Sequence, residues 1–439
     1  MKVLLLDIYK EGTDYRISKD TNGSYGTGND YGDGLFAKFL KKISKRTNFW
    51  PPLYLMYTGS VLREKGHQIE YSNRIVDFDN YDAIIMSSSI VCHETEIHTI
   101  KGIKDKSKVI VIGSFASNCS KNYLNEGVKV IKGESEFYFL DNELEDLLNN
   151  QNAKNISNNS DITNLDRLPF PCWDLVAKYL SFSGTIHKKT CIPILAERGC
   201  PYSCFNYCTY PLEQGRKPRA RASKNIVEEI KYWINKMGVH EFIFRDPVFS
   251  INRERTVELA NMIIKEELKI KFTIEDHLNN IDHDLALLLK KAGVFFIQVG
   301  IESVDLEVMK DAKRFTLQES KEIEKTEMLR SLGIKVMGMY ILGYETDTKE
   351  SCLATIEYAK KLNTYLAVFS VFTPYPGTPI YSKFKNKIFA NKYEEYNQWN
   401  PIFHHENLST SEIRKLLDHA FNSYYLNIKW ATKNFLLAF

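Results

Sequence analysis

Three of the eight cysteines in this 439-residue chain fall within nine residues, Cys200, Cys204 and Cys208 in "CPYSCFNYC". The spacing is C-x-x-x-C-x-x-x-C, a density typical of metal ligation. Structural zinc usually takes four Cys or His ligands, and no histidine lies close in sequence. His187 or His240 would have to return in space. An iron–sulfur cluster takes thiolates. Three cysteines would leave one iron of a four-iron cluster open, much as three-ligand zinc keeps a reactive position. Three unrelated structural thiols are the remaining reading. Placement just beyond an apolar strand favours the cluster. Cys92, Cys119, Cys172, Cys191 and Cys352 are scattered and read as small core or near-surface residues. This is no secreted disulfide scaffold, so a reducing, cytoplasmic compartment is expected.

The elements that position these thiols repeat a strand–helix alternation. Strands are expected over 191–198, 241–246, 269–275, 294–302, 335–343 and 366–374, with helices over 224–237, 252–266, 282–292, 317–332 and 348–362. Six such repeats predict a parallel α/β partial barrel over 187–380, whose site lies at the strand C-terminal ends. The cysteines follow the first strand. Gln298, Gly300 and Glu302 share a face at period two, and Asp246 and Glu275 close two other strands.

The first 148 residues alternate similarly: "KVLLLD", the helical "LYLMYTGSVLREKGH", then "YDAIIMSSS", "SKVIVIGS" and "GVKVIKGE". Continuous apolar strands between helices predict a doubly wound parallel sheet. Its ligand positions would be Asp7, Ser87 to Ser89, Gly113, Ser114, Gly133 and Glu134. The glycine-rich insertion 11–50 is read either as a ligand wrap or as a surface excursion. Residues 149–186 are the linker, richest in Asn and Ser over 149–166, with "RLPFPCWDL" ordering the exit. Residues 381–439 are expected to be helical and aromatic.

Composition narrows the function. Lys and Arg number 58 against 55 Asp and Glu, a formal charge of +3, which argues against a nucleic-acid partner. The basic runs at Lys41-Lys42 with Lys45-Arg46, and from Arg216 to Arg221, read as solvated faces or local anion contacts. No run of ~18 apolar residues is present to span a membrane.

"ERGCPYSCFNYCTYP" resembles the signature of the radical S-adenosylmethionine (SAM) superfamily, whose loop usually reads C-x-x-x-C-x-x-C. "GRKPRARASKNIVEEI", "FIFRDPVFSINRER", "LLKKAGVFFIQVGIES", "GIKVMGMYILGYETDTKES" and "TPYPGTP" resemble matching segments of its cobalamin-domain branch. Upstream, "PPLYLMYTGSVLREKGH", "VIVIGSFAS", "VIKGESE" and "LPFPCWDL" resemble the N-terminal cobalamin-binding-type domain. The likeness covers roughly residues 50 to 380. Two departures stand out: the third cysteine comes one residue late, and Glu345 stands where proline is frequent.

The resemblance implies a [4Fe-4S] cluster on Cys200, Cys204 and Cys208 that chelates and reductively cleaves SAM. The resulting 5′-deoxyadenosyl radical takes hydrogen from a small-molecule substrate, with an electron donor such as flavodoxin or ferredoxin. Asp246, Glu275, Gln298, Gly300 and Glu302 are the expected SAM contacts, against an internal hydrogen-bond network. Tyr207, before the last cysteine, would pack near the adenine. Gly377 would turn the chain at the barrel mouth. Ser88, Gly113, Ser114, Gly133 and Glu134 are the expected cobalamin contacts. No D-x-H-x-x-G motif is present to name a cobalt ligand, so a domain that keeps the fold without the cofactor, or binds substrate, is the alternative. The leading expectation is cobalamin-dependent methylation. The alternatives are a radical oxidation, rearrangement, cyclisation or epimerisation, and a non-catalytic protein with a degenerate loop.

Overall fold

The computed structural model describes residues 1–45, 50–158, 160–180 and 189–438, with backbone alone for 435–438. Arg46, His187 and the 186/187 boundary lie outside the described residues.

Two parallel sheets of six strands dominate. The first comprises β1 (Lys2–Leu6), β2 (Gln68–Ser72), β3 (Ala83–Ser87), β4 (Val109–Ile112), β5 (Lys129–Lys132) and β6 (Asn155–Ser157), in spatial order β2-β1-β3-β4-β5-β6. The central strands β1, β3 and β4 are apolar and almost wholly buried, as helices on both faces require. Two strands fall where none was expected. β2 is a half-polar edge strand, and β6 lies inside the Asn- and Ser-rich segment read as linker.

The second sheet runs in sequence order: β7 (Cys191–Ile194), β8 (Glu241–Phe244), β9 (Lys271–Asp276), β10 (Val294–Glu302), β11 (Lys335–Leu342) and β12 (Leu366–Val371). Helices Ser223–Met237, Arg253–Lys265, His283–Ala292, Glu319–Ser331 and Lys349–Leu362 cover its outside. This is the expected partial barrel.

The remaining segments join the two sheets. Helix Leu53–Glu64 buries Leu53 through Leu62 without interruption. Its surroundings include the "RLPFPCWDL" stretch, where the Cys172 amide donates to Met56 O at 3.2 Å. Helix Thr410–Tyr425 lies on β12, with the Tyr425 hydroxyl donating to Ala367 O at 2.7 Å. The 11–50 insertion is no surface excursion. It forms a small hairpin (Ile17–Ser18 with Thr27–Gly28) and helix Leu35–Ser44. Ser18, Lys19, Asp20, Tyr25 and Thr27 are buried.

The basic runs are part solvated and part structural: Lys42, Lys45, Arg216 and Lys217 are exposed. Lys41 is buried and paired with Asp30. Arg219 pairs with Glu134, and Arg221 with Glu229. These three cations are buried inside ion pairs, while the other described cations of each run stay at the surface. Among the described residues, no helix is long and apolar enough to cross a membrane.

Candidate active site

Strand β7 ends at Ile194, and the chain turns through Glu197–Arg198, paired with Arg219–Ala220, before the cysteines. The hinge ahead of them is held by Asp246, whose carboxylate accepts from the Ala196 amide at 3.1 Å. Ser203–Asn206 then forms one tight helical turn. The Cys208 amide donates to Cys204 O at 3.0 Å, an i→i+4 bond. Residues four apart share a helix face, so the extra residue is absorbed by completing a turn. Cys204 and Cys208 hydrogen-bond through their thiols. That bond, and next the Arg314 guanidinium, hold the Cys204 thiol below its ordinary pKa against the effect of burial; the same bond pushes Cys208 up.

Among the described residues no three His, Cys, Asp or Glu side chains are arranged to hold a single metal ion. His240 is exposed and precedes β8, at the amino end of the barrel, away from the cysteines. The donor set is thiol-rich and free of disulfides. Three thiols on one loop suit a cluster whose thiolates sit at separate corners.

Arg314, in the segment after β10, carried no sequence signal. Its Nη1 lies 3.6 Å from Cys204 Sγ, and its Nη2 donates to Gly300 O at 2.9 Å and lies 3.6 Å from Glu302 Oε1. A Cβ on Gly300 would come within 2.7 Å of Glu302 Oε1 and 2.8 Å of Arg314 Nη2, so glycine is what lets these groups meet. Glu302 itself has φ +69°, a strained conformation that costs about 1–3 kcal/mol and clusters at functional sites. Burial pushes its carboxyl up to about 7, opposed by Arg314.

Of this group Glu302, together with Cys208, lines a cavity of about 490 Å³ inside the barrel. Glu275, Gln298 and Met337 are register partners on three adjacent strands and all line it. Glu275 accepts from the Tyr210 hydroxyl at 3.1 Å, and burial raises its carboxyl. Tyr207 lines the cavity, its ring edge-on to Tyr344 at 5.6 Å.

Asp246 is not in the cavity wall; it is fully buried on the far side, and its neighbour Arg245 takes the place. The strand ends at Phe244, so period-two parity no longer governs residue 246. Gly300 contributes its carbonyl to Arg314 instead of lining the cavity. Gly377 sits in a turn, with the Thr378 amide donating to Tyr375 O at 3.1 Å, and Tyr375 lines the cavity in its stead.

The insertion and the C-terminal region complete the wall through Arg16, Trp50, Trp399, Phe421 and Tyr425. Asp20 from the hairpin pairs with Arg245 at 2.6 Å, and Arg245 lies over the Trp50 ring at 5.3 Å. None of these carried a motif.

Four of the five residues expected to contact cobalamin are otherwise engaged. Ser88 Oγ accepts from the Ala116 amide at 3.0 Å, and Ser88 O accepts from the Tyr54 hydroxyl at 3.1 Å. The space beside Gly113 is taken by that hydroxyl, 2.4 Å from where a Cβ would lie. Ser114 is the exception: it is fully buried, and its Oγ has no hydrogen-bond partner among the described residues. The Gly133 amide donates to Ser117 Oγ at 2.9 Å. Glu134 is paired with Arg198 at 2.5 Å and with Arg219, and so joins the N-terminal domain to the cysteine loop. As folded, this end of the sheet does not fit a corrin.

A family model for the radical SAM superfamily matches residues 196–359. An uncharacterised methyltransferase of Pyrococcus horikoshii is 26% identical over 433 residues, covering 90% of this chain and 92% of that protein. An anaerobic magnesium-protoporphyrin IX monomethyl ester cyclase of Cereibacter sphaeroides is 30% identical over 259 residues, 58% of this chain and 41% of the cyclase. The solved radical SAM methyltransferase TsrM of Kitasatospora setae, with cobalamin and a [4Fe-4S] cluster bound, superposes with a TM-score of 0.60 at 14% identity, covering 96% of this chain and 85% of that one. Residues 196–359 thus match a radical SAM domain, and the chain as a whole has the two-sheet fold of the TsrM structure.

Proposed function

We propose that Cys200, Cys204 and Cys208 hold a [4Fe-4S] cluster, that SAM binds beside it in the barrel cavity, and that a small-molecule substrate is methylated there. The observation that carries this reading is that Tyr207 and Cys208 of the cysteine loop line one cavity with the carboxylates Glu275 and Glu302, and that Arg314 bridges Cys204 and Glu302 behind that wall. Arg314 matches the carboxylate of SAM, and Glu302 its ammonium. Gln298 and Glu275 offer hydrogen-bond partners to the ribose and purine, and Tyr207 an aromatic face.

When bound, the cluster and SAM together supply a 5′-deoxyadenosyl radical that abstracts hydrogen. The chain's part is to orient and to exclude water. Trp50, Trp399, Phe421 and Tyr425 close the apolar side, and the 11–50 insertion roofs the barrel. Methyl transfer is favoured by the P. horikoshii relative, which matches this chain nearly end to end under that name. No step is assigned to the carboxyl end of the N-terminal sheet, whose charged groups are paired within the chain. Eight free cysteines suit a reducing cytoplasm, where a flavodoxin or ferredoxin would deliver the electron.

The test is anaerobic reconstitution with iron and sulfide. About four irons per chain, an EPR signal on reduction that changes on adding SAM, and release of 5′-deoxyadenosine are expected. Full iron content and SAM cleavage in Cys204→Ala would overturn the ligand assignment. SAM carrying a deuterated methyl group, incubated with cell extract, separates methylation from oxidation or rearrangement: only methylation transfers the label.

A further inference from the structure

The carboxyl end of the N-terminal sheet is where a doubly wound sheet normally receives its ligand. In this chain a segment of the chain itself lies there. Lys19, in the hairpin, is fully buried against Glu96 at 2.7 Å and Asp7 at 3.5 Å, and its Nζ also donates to Ser87 O at 3.4 Å. Burial alone would strip its proton, but Glu96 and Asp7 more than offset that and hold it charged. Both acids belong to the sheet domain. Asp7 ends β1 and takes hydrogen bonds from Ser87 Oγ at 2.6 Å and from the Tyr9 and Tyr71 hydroxyls at 2.8 and 3.1 Å. Glu96, on the helix after β3, takes them from the Tyr123 hydroxyl at 2.5 Å and from Ser89 Oγ at 3.1 Å. Two buried carboxylates at one strand end need a cation, and the hairpin supplies it.

Six residues on, Tyr25 fills the space beside this ion triad. It is fully buried, edge-on to Phe115 at 5.7 Å and to Tyr375 at 5.8 Å, and its hydroxyl donates to Pro376 O at 2.7 Å. His93 continues the packing against Phe115 and Tyr123. Across the seam, Gly377 lies against Asn118, where an added Cβ would meet its side chain at 3.0 Å. The ends of the two sheets touch through side chains.

We infer that residues 17–28 and a corrin are mutually exclusive occupants of this crevice, so that cobalamin binds the N-terminal sheet only after the hairpin has left and the Lys19 ion triad has opened. The inference concerns the N-terminal sheet and stands apart from the cluster, whose assembly is read separately by iron content and SAM cleavage.

The test compares hydroxocobalamin binding, followed by its visible spectrum, in the natural full-length chain and in the Lys19→Met/Glu96→Gln double variant, which removes both members of the closest pair. If the closed hairpin is the barrier, the variant binds at least about tenfold more tightly, because the competent state is no longer held down. In whichever chain binds, amide exchange over residues 17–28 must speed up on adding the corrin. Equal affinity in the two chains, binding that leaves exchange over 17–28 unchanged or slowed, or no binding by either chain would each overturn it. If the double variant fails to fold, a chain with residues 17–28 replaced by a glycine–serine linker takes its place, with the same outcomes.

Discussion

The two sheets meet at their carboxyl ends, and the two ends differ in one respect. In the N-terminal sheet every charge at the end has an internal partner: Asp7 and Glu96 have Lys19, and Glu134 has Arg198 and Arg219. In the barrel the polar residues Glu275, Gln298 and Glu302 face a cavity of about 490 Å³. The same topology places a potential ligand site at both. Whether that position is a site depends on whether space is left beside the paired groups: Glu302 has Arg314 and Arg245 has Asp20, yet Glu302 and Arg245 still face the cavity. Consecutive residues of the insertion make the contrast: Lys19 closes one sheet, and Asp20 reaches the other to hold Arg245 in the cavity wall.

The contrast is broken most sharply at the cysteines. Cys208→Ala should take iron from about four per chain to well below that and lower SAM cleavage by about 10²-fold or more. Cys208 is the ligand in doubt from sequence, and retained iron would remove it from the cluster. Next comes the closed end. Lys19→Met leaves two buried carboxylates uncompensated and should cost about 3–5 kcal/mol of stability, read from the urea midpoint. Glu275→Gln, at the open end, should leave that midpoint nearly unchanged while weakening SAM binding. Equal stability losses in the two variants would erase the distinction.

Much of the barrel was legible because it is written locally. Strand β10 falls on 294–302 as expected, and the helices fall within two residues of their expected bounds. Apolar runs between amphipathic stretches specify a parallel sheet without long-range information. Strands β2 and β6 were missed because edge strands do not need to be apolar on both faces. Gln298 and Glu302 were legible from period two, although Gly300, of the same parity, does not line the cavity; of the two residues read as strand ends, Glu275 lines it and Asp246 does not, because it lies beyond the last paired residue of its strand. The insertion could not be read. Lys19 meets Ser87 and Glu96 from 68 and 77 residues away, and only a folded chain shows that.

Asp246 sharpens the comparison through pH. It sits at the open sheet but acts as a closed-end residue, fully buried and spent on the Ala196 amide. Burial pushes its carboxyl from 3.8 up to about 7, against the pull of Arg255. A carboxyl raised in the folded state holds a proton that the unfolded chain has released between those two values. Stability from this group is therefore full below about pH 4, falls as pH rises towards 7, and is level above. The span is at most about 4 kcal/mol. Asp246→Asn keeps an acceptor for the Ala196 amide and removes the titration. Urea midpoints measured from pH 4 to 8 should lose this part of their decline in the variant. An unchanged pH profile would mean that Asp246 is ionised in the fold.

The smallest effect is expected where the insertion is fastened from outside. Arg414, on helix Thr410–Tyr425, donates to Asp33 Oδ2 at 2.9 Å, to Asp30 Oδ2 at 3.1 Å and to Trp399 O at 3.1 Å. Asp418 of the same helix accepts from the Asp33 and Gly34 amides, each at 2.7 Å. Because Asp33 is largely exposed, Arg414→Ala should cost only about 1 kcal/mol. Its use lies in where the loss appears. Lys19 and Asp20 are anchored separately to the two sheets, so loosening the outer fastening should speed amide exchange over residues 27–34 and leave 17–20 protected. Release of 5′-deoxyadenosine without substrate should stay within about twofold, since no atom at the cysteine loop moves. Loss of protection across the whole insertion would instead show that Arg414 holds the hairpin as well. The closed end of the first sheet and the roof of the second would then open as one unit.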